Sequence, residues 1–143
     1  MNKGYTLGQV RWQAGATDPV LVDIVSVHID FSRKSVREQQ IAEIRETLAG
    51  RGNPIIIMGD FNSDWFADEQ GIRALAERSD LHVYRPDADD LPTYSNTRRY
   101  DWILISKQLE FISLEVLPDI LSDHSAVAAE IRMRTSGDSA SAL

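Results

Sequence analysis

The stretch Pro54-Ile-Ile-Ile-Met-Gly-Asp-Phe-Asn62 (PIIIMGDFN) decides the fold of this chain. Four consecutive apolar residues bounded by Pro and Gly are typical of a short strand buried on both faces. Polar side chains appear only where the run ends, at Asp60 and Asn62. Taken alone, this ending is more typical of an ordinary turn, because Gly, Asp and Asn are favoured there. Its interpretation therefore depends on the rest of the chain.

A second apolar run lies upstream and predicts another central strand. Residues 20–29 (VLVDIVSVHI) are rich in β-branched side chains, apolar on both faces, and carry His28 near their end. Residues 5–13 alternate loosely in polarity, which predicts a strand, and turn residues follow at 15–19. A hairpin of these two strands is expected.

Helices are predicted on both sides of PIIIMGDFN. Ser35 and Glu38 form a capping-box pattern, so the first helix should begin there and end at Gly50 or Gly52. Its apolar stripe has helical spacing and consists of Ile41, Ile44 and Leu48. A second helix is predicted over residues 68–78.

The remaining chain predicts a loop-rich stretch followed by three strands. The loop covers residues 81–99, and the strands cover residues 100–106, 110–117 and 125–132. The tail of small polar residues, 135–143, is expected to be disordered. Residues 1–134 contain no repeat or linker and are expected to form one domain.

Composition narrows the function classes. The chain has 143 residues, 43% of them hydrophobic, which suffices for one domain with its own core. A net charge of −7 argues against a protein that coats nucleic acid, but not against an enzyme that uses a divalent cation. The absence of cysteine excludes disulfides and thiolate chemistry. No apolar run has membrane-spanning length and residues 1–20 lack a signal-peptide pattern, so a soluble, cytoplasmic protein is expected.

Four predicted strand ends or adjoining loops, far apart in sequence, carry acid, amide or imidazole groups. They are His28, Asp60 with Asn62, Asp101, and Asp123 with His124. Ligand sites on sheet folds collect at such ends, so we expect these groups to meet. Carboxylate and amide oxygens suit Mg²⁺ or Mn²⁺. Asp101 and His124 are the predicted pair, in which a carboxylate orients an imidazole and stabilises its protonated form.

Four motifs in order resemble the endonuclease/exonuclease/phosphatase family. Gly59-Asp-Phe-Asn62, Tyr100-Asp-Trp-Ile-Leu104 and Ser122-Asp-His124 resemble its last three motifs, and Val27-His-Ile-Asp30 resembles the strand end before them. The order and rough spacing agree over residues 4–132. The resemblance implies hydrolysis of phosphoesters by activated water with Mg²⁺ or Mn²⁺. It leaves nucleic acids, lipid-derived phosphoesters and small molecules open as substrates.

The resemblance also implies residue roles. His28 would contact the scissile phosphate, and Asn62 would hydrogen-bond a phosphate oxygen. Asp60 would activate or position the water, or assist the leaving group, near the metal. Asp101 would orient His124.

Other positions carry alternatives. Asp123 would lie near the metal or at a second metal position. Arg98 is a candidate contact for a substrate phosphate, although loop arginines are more often simply solvated. Trp65 and Phe66 either stack on a substrate or cap the core.

The chain departs from the family pattern upstream. An Asn and the Glu that is the principal metal ligand are expected before His28, yet residues 1–27 contain no Glu. The implied fold is a four-layer α/β sandwich of the α+β class. Residues 1–134 would supply its C-terminal part, a largely antiparallel sheet with about two helices. The inner face around Val20, Val22 and Ile24 would then lack a cover.

Two functional hypotheses follow from this departure. The first is a phosphoesterase, active in a parent or assembled protein. The alternative is a catalytically silent half-domain that is stable as a homodimer or as the complement of a separate N-terminal half. A metal-binding module without turnover is a weaker third possibility.

Overall fold

The computed structural model describes residues 3–13, 15–135 and 137. In chain order, its elements are β1 (Gly4–Trp12), β2 (Val20–His28), α1 (Lys34–Leu48), β3 (Ile55–Asp60), α2 (Ile72–Arg78), β4 (Leu81–Val83), β5 (Asp101–Ser106), β6 (Leu109–Val116) and β7 (Val127–Met133). The expected disorder of residues 135–143 falls almost entirely outside the described residues.

The fold is mixed α/β and contains two sheets. The larger sheet has the order β1-β2-β3-β5-β4, and β6 pairs with β7 in the smaller one. The predicted hairpin of β1 and β2 is confirmed. Only β2 and β3 run parallel in the larger sheet, which is therefore largely antiparallel, as expected. Helix α1 makes the connection that a parallel pair requires.

One face of the larger sheet packs against the helices. Ile41, Ile44 and Leu48 of α1 are buried, as their spacing predicts. They belong to one core cluster with Ile57 of β3 and Phe61 just beyond it. This packing fixes the position of the carboxyl end of β3, where the polar residues begin.

The opposite face is partly covered by the β6–β7 sheet, so the expectation of an uncovered inner face is wrong there. Val22 is fully buried in a second core cluster, against which Ile131 and Met133 of β7 pack. Ile24 is partly buried against this cluster, whereas Val20 remains 39% exposed. A strand pattern does not reveal which sheet the strand joins, and β6 and β7 form their own ribbon across this face.

Both helix starts differ from the prediction. Helix α1 begins at Lys34 after Arg33, without a side-chain cap, so the Ser35–Glu38 capping box is not formed. Instead, Asp30 accepts the backbone N–H groups of Ser32 and Arg33, each at 2.9 Å, and shapes the turn before the helix.

Helix α2 and strand β4 also differ from the expectation. Helix α2 covers only Ile72–Arg78, because Gly71 departs from helical geometry. The side chain of Asp68 is buried beside Arg37 at 3.1 Å rather than opening the helix. The predicted loop contains the short strand β4, which pairs with β5.

Candidate active site

Three predicted site residues form one row across the larger sheet. His28 lies opposite Asp60 in the parallel pair, and Asp60 lies opposite Asp101 in the antiparallel pair. Residues in register on neighbouring strands point to the same side of a sheet. The row therefore brings an imidazole and two carboxylates together at one end of the central strands, as their strand-end positions predict.

Gly59 permits the close approach of β3 to β2 beside this row. Its φ is +141°, and an added Cβ would lie 2.1 Å from the carbonyl oxygen of Val27. Any L side chain there would collide with backbone and occupy an unfavourable conformation. The glycine thus sets the position of Asp60 relative to His28.

His124 reaches the row from the loop before β7. Its Nδ1 lies 2.7 Å from Oδ2 of Asp101, which brings the predicted pair together. The Nε2 atom lies 3.7 Å from Oδ2 of Asp60. The Tyr94 ring packs beside the imidazole, with centroids 4.9 Å apart. The imidazole is therefore held between two carboxylates and against an aromatic face.

Thr93 hydrogen-bonds both to the segment that carries Asp101 and to the segment that carries His124. Its buried hydroxyl accepts the backbone N–H groups of Tyr100 at 3.0 Å and Asp101 at 3.1 Å. Its carbonyl accepts the N–H of Ser125, next to His124, at 2.8 Å. Sequence reasoning missed Thr93, because nothing local distinguishes it from an ordinary loop threonine.

The electrostatics favour a protonated His124. Burial acts to lower its pKa, but the hydrogen bond to Asp101 and the charges of Asp101, Asp60 and Asp123 outweigh burial, so the pKa is raised above the ordinary value. With Nδ1 facing one carboxylate and Nε2 facing another, the imidazolium satisfies both neighbours. His124 is thus suited to hold a phosphate oxygen or to donate a proton.

Asp60 is held by its own turn. Its Oδ1 accepts the N–H of Asn62 at 2.8 Å, and Oδ2 lies 3.7 Å from Nε2 of His28. Burial raises the pKa of Asp60 above its ordinary value, and the charge of Asp101 adds to this, against the effect of the Asn62 N–H. A carboxylate with a raised pKa is a stronger base than an ordinary one.

Asn62 adopts a left-handed conformation with φ of 48°, which Asn tolerates well. Its Nδ2 donates to the carbonyl of Ile29 at 2.8 Å. A side-chain amide has two N–H donors, so the second stays available for a phosphate oxygen.

These groups line an open cleft of about 580 Å³. The predicted residues on its wall are His28, Asp60, Asn62, Asp123 and His124, and the wall also contains Lys3, Phe31, Tyr94 and Tyr100. Sequence reasoning did not single out Lys3 or Phe31. No local pattern marks Lys3, whose place beside the site follows from the register in which its neighbour Gly4 pairs with His28.

Arg98 and the aromatic pair lie outside this wall. The Arg98 guanidinium binds Asp64 at 2.9 Å and is largely exposed, and its contact with a substrate phosphate stays a prediction. Trp65 packs against Trp102 with centroids 5.6 Å apart, as a core-capping residue would. Phe66 is 65% exposed beneath Arg73.

The residues present fit a hard divalent cation. Candidate ligand atoms of Asp60, Asp101 and His124 all lie within 4.8 Å of one another. Mg²⁺ commonly uses only one or two protein carboxylates and completes its shell with water and substrate phosphate. Because His124 is engaged by Asp101 and favoured as a cation, the carboxylates are the better ligands.

The family assignment comes from the sequence comparison. A model of the Endonuclease/Exonuclease/phosphatase family matches residues 3–124. The chain belongs to this family. No curated protein matches at a significant level.

Solved structures show the endonuclease/exonuclease/phosphatase fold at low sequence identity. The mannosyl-6-phosphatase of Bacteroides thetaiotaomicron VPI-5482 is 20% identical, with 80% of this chain and 52% of that chain covered and a TM-score of 0.60. A family protein of Beutenbergia cavernae DSM 12333 is 17% identical, with 90% and 39% covered and a TM-score of 0.69. The human Nocturnin catalytic domain is 16% identical, with 92% and 60% covered and a TM-score of 0.59.

This chain thus spans between 39% and 60% of those three structures. Among the described residues, no helix combines the length and apolar character needed to cross a membrane.

Proposed function

We propose that the chain carries the catalytic centre of a phosphoesterase that uses a divalent metal, Mg²⁺ or Mn²⁺, and an activated water. The observation that carries the proposal is the placement of His124, which contacts Asp101 at 2.7 Å and faces Asp60 at 3.7 Å in an open cleft. Membership of the family supports phosphoester hydrolysis as the reaction class.

The geometry supports a division of labour. Asp60 accepts the proton of the attacking water, because the N–H of Asn62 orients its carboxylate in the open cleft. His124, held as an imidazolium by Asp101, binds a phosphoryl oxygen and neutralises charge that develops on it. His28 contacts the phosphate from the other side of Asp60.

The carboxylates of Asp60 and Asp101 would hold the metal, and Asp123, on the wall of the same cleft, would lie near it or at a second metal position. When bound, such an ion polarises a phosphoryl oxygen and stabilises the leaving group. Asn62 directs its remaining amide N–H to the phosphate and keeps the Asp60 turn rigid.

The test is hydrolysis of bis(4-nitrophenyl) phosphate by the 143-residue chain, with Mn²⁺ or with EDTA. Turnover should require the metal and fall at least about 100-fold in Asp60→Asn, as expected for the loss of a general base. Asp89→Asn, which removes the same charge from an exposed loop, is the matched control. Metal-independent turnover, or equal turnover in the two variants, would contradict the proposal.

A specific observation favours the second candidate, a catalytically silent half-domain of residues 1–134 that functions in an assembly. A cleft of about 420 Å³ adjoins the site and is lined by apolar groups that include Met58, Ile103, Leu117 and Leu121. Ile120 and Leu121 are 91% and 89% exposed. Exposed apolar groups around a cleft are typical of an interaction surface. Folded protein that associates but shows no metal-dependent turnover would favour this candidate.

A further inference from the structure

We propose that Lys3 and Phe31 form a subsite for a second anionic group of the substrate, separated from the reacting phosphate by a spacer. The inference rests on the proposed function, because it assigns a substrate class to the same cleft. The ammonium of Lys3 would bind the anion, and Phe31 would hold the ammonium in position and face the spacer.

The first support is location. Lys3 and Phe31 line the same cleft as Asp60 and His124. A cation in a cleft whose other polar groups are arranged for phosphate chemistry is placed to contact a ligand rather than only solvent. Lys3 also lines an adjoining polar hollow of about 340 Å³ with Thr6, Ser26 and His28. The subsite is therefore open on the side away from Asp60.

The second support is that Lys3 has an aromatic neighbour but, among the described residues, no acidic side chain as an ion-pair partner. Its Nζ lies 3.7 Å from the centroid of the Phe31 ring, a cation–π contact. Among the described residues, Lys3 forms no ion pair with a carboxylate. The two other lysines do, since Lys34 lies 3.8 Å from Glu38 and Lys107 lies 2.8 Å from Asp80.

The third support is the exposed ring of Phe31, which offers apolar surface to a substrate. The ring is 67% exposed although it is a large apolar group. One contact positions the Lys3 ammonium, and the rest of the ring remains open to the cleft. A flat apolar surface of this kind suits a sugar or base that links two anionic groups.

The strand register gives the spacing of the backbones that carry the two proposed anion contacts. Gly4, the neighbour of Lys3, pairs with His28, and His28 pairs with Asp60. Two strand spacings of about 4.8 Å therefore lie between the backbones at Gly4 and Asp60, roughly 10 Å in total. A substrate with two adjacent phosphates would not span this distance as well as one with a sugar between them.

The experiment compares two chromogenic substrates that differ by one phosphate. They are thymidine 5′-(4-nitrophenyl phosphate) and its 3′-phosphorylated analogue, assayed with Mn²⁺ at low salt. We expect a KM about tenfold lower for the 3′-phosphorylated ester, with similar kcat, because one further ion contact is made at the subsite. Lys3→Met should abolish the preference, Lys3→Arg should retain it and Phe31→Leu should weaken it.

Lys107→Met is the matched control. It removes the same charge at a position that lines a separate hollow beside Val20 and Pro54, so the preference should remain. An equal preference in wild type and Lys3→Met, or no preference in wild type, would overturn the subsite while leaving the phosphoesterase proposal intact.

A binding measurement separates the two proposals if neither ester is hydrolysed. Titration calorimetry with thymidine 3′,5′-bisphosphate in EDTA needs no turnover. Binding that Lys3→Met weakens about tenfold would support the subsite even without catalysis. Binding that is absent, or indifferent to Lys3, would overturn it.

Discussion

Gly59 is the residue on which the position of Asp60 most directly depends. An alanine Cβ at this position would meet the Val27 carbonyl oxygen at 2.1 Å, and the φ of +141° is unfavourable for any L residue. The ending of β3 resembles an ordinary turn in sequence, but in the structure it is under a steric constraint at Gly59. Its glycine serves the packing of backbone against backbone.

Gly59→Ala should lower the free energy of unfolding by at least about 2 kcal/mol, because β3 must move away from β2. Urea unfolding followed by circular dichroism measures the change. Gly52→Ala is the control, because its added Cβ would contact nothing within 4 Å and its φ lies outside the left-handed region. Similar losses in both variants would contradict the steric explanation.

Thr93→Val should reduce kcat about tenfold or more with a smaller effect on KM. The valine is nearly isosteric but leaves the partly buried N–H groups of Tyr100 and Asp101 without their acceptor, which disturbs the orientation of Asp101 and His124. Steady-state kinetics on bis(4-nitrophenyl) phosphate provide the measurement. Thr93→Ser keeps the hydroxyl and should recover most of the activity; equal loss in both variants would point to packing instead.

The candidate site could be predicted mainly from polar residues at strand ends and from the motif in the loop before β7. His28, Asp60 and Asp101 each stand at a strand end, and a polar residue at the end of an apolar run is visible in the sequence. Thr93 and Lys3 could not be found this way. Their roles depend on long-range hydrogen bonds and on strand register, which no local pattern encodes.

At the scale of elements, the strands and helices could be predicted better than their associations. Both helices and the main strands lie where their periodicity indicates, with ends shifted by a few residues. The separate β6–β7 sheet could not be anticipated, because period-two alternation is the same in either sheet. Helix α1 begins one residue before Ser35, but the predicted capping box is wrong, because Asp30 rather than Ser35 organises the preceding turn.

Strand β2 is anchored at the end opposite the site by a buried ion pair. Asp23 is fully buried and accepts hydrogen bonds from Arg51 at 2.6 and 2.9 Å and from Gln9 at 3.0 Å. The hydrogen bond from Arg51 outweighs burial and lowers the pKa of Asp23 from 3.8 to about 2. The pair joins β2 to the segment that follows α1.

This anchor predicts an acid-dependent stability. Because the folded-state pKa of Asp23 lies below its unfolded value, the ionised Asp23 adds about 2 kcal/mol to the free energy of unfolding above about pH 4. This contribution is lost as the pH falls through the folded-state pKa of about 2. Asp23→Asn should therefore destabilise the protein at pH 6, and in urea unfolding its difference from wild type should shrink to less than about half near pH 2.5. Asp89→Asn is again the control. A difference between Asp23→Asn and wild type that does not change with pH would contradict the assignment.

At the scale of the whole molecule, two sheets of unequal size pack face to face. The β6–β7 sheet covers part of the inner face of the larger sheet and leaves the apolar cleft beside Met58 and Leu121 open. The helices cover the other face of the larger sheet, and the apolar residues between the helices and this face are buried. The molecule is thus closed on one side and open on the other.

We expect this open side to drive self-association in the micromolar range or above. Leu121→Asp should shift the equilibrium towards monomer in analytical ultracentrifugation, because a charge would be buried on association. Phe66→Asp alters another exposed apolar position, 65% exposed and outside the cleft, and should leave association unchanged. Monomeric wild type at every concentration would argue against a homodimer.

The Asp101–His124 hydrogen bond has a further consequence, because its partners belong to different parts of the fold. Asp101 begins β5 of the larger sheet, whereas His124 precedes β7 of the smaller one. The described residues include three histidines, and only His124 contacts a carboxylate as closely as 2.7 Å. Its Nδ1 proton should therefore resonate far downfield and serve as a spectroscopic reporter of sheet docking. A loosening of the two sheets, by denaturant or by mutation, would broaden this single signal before the global unfolding transition begins.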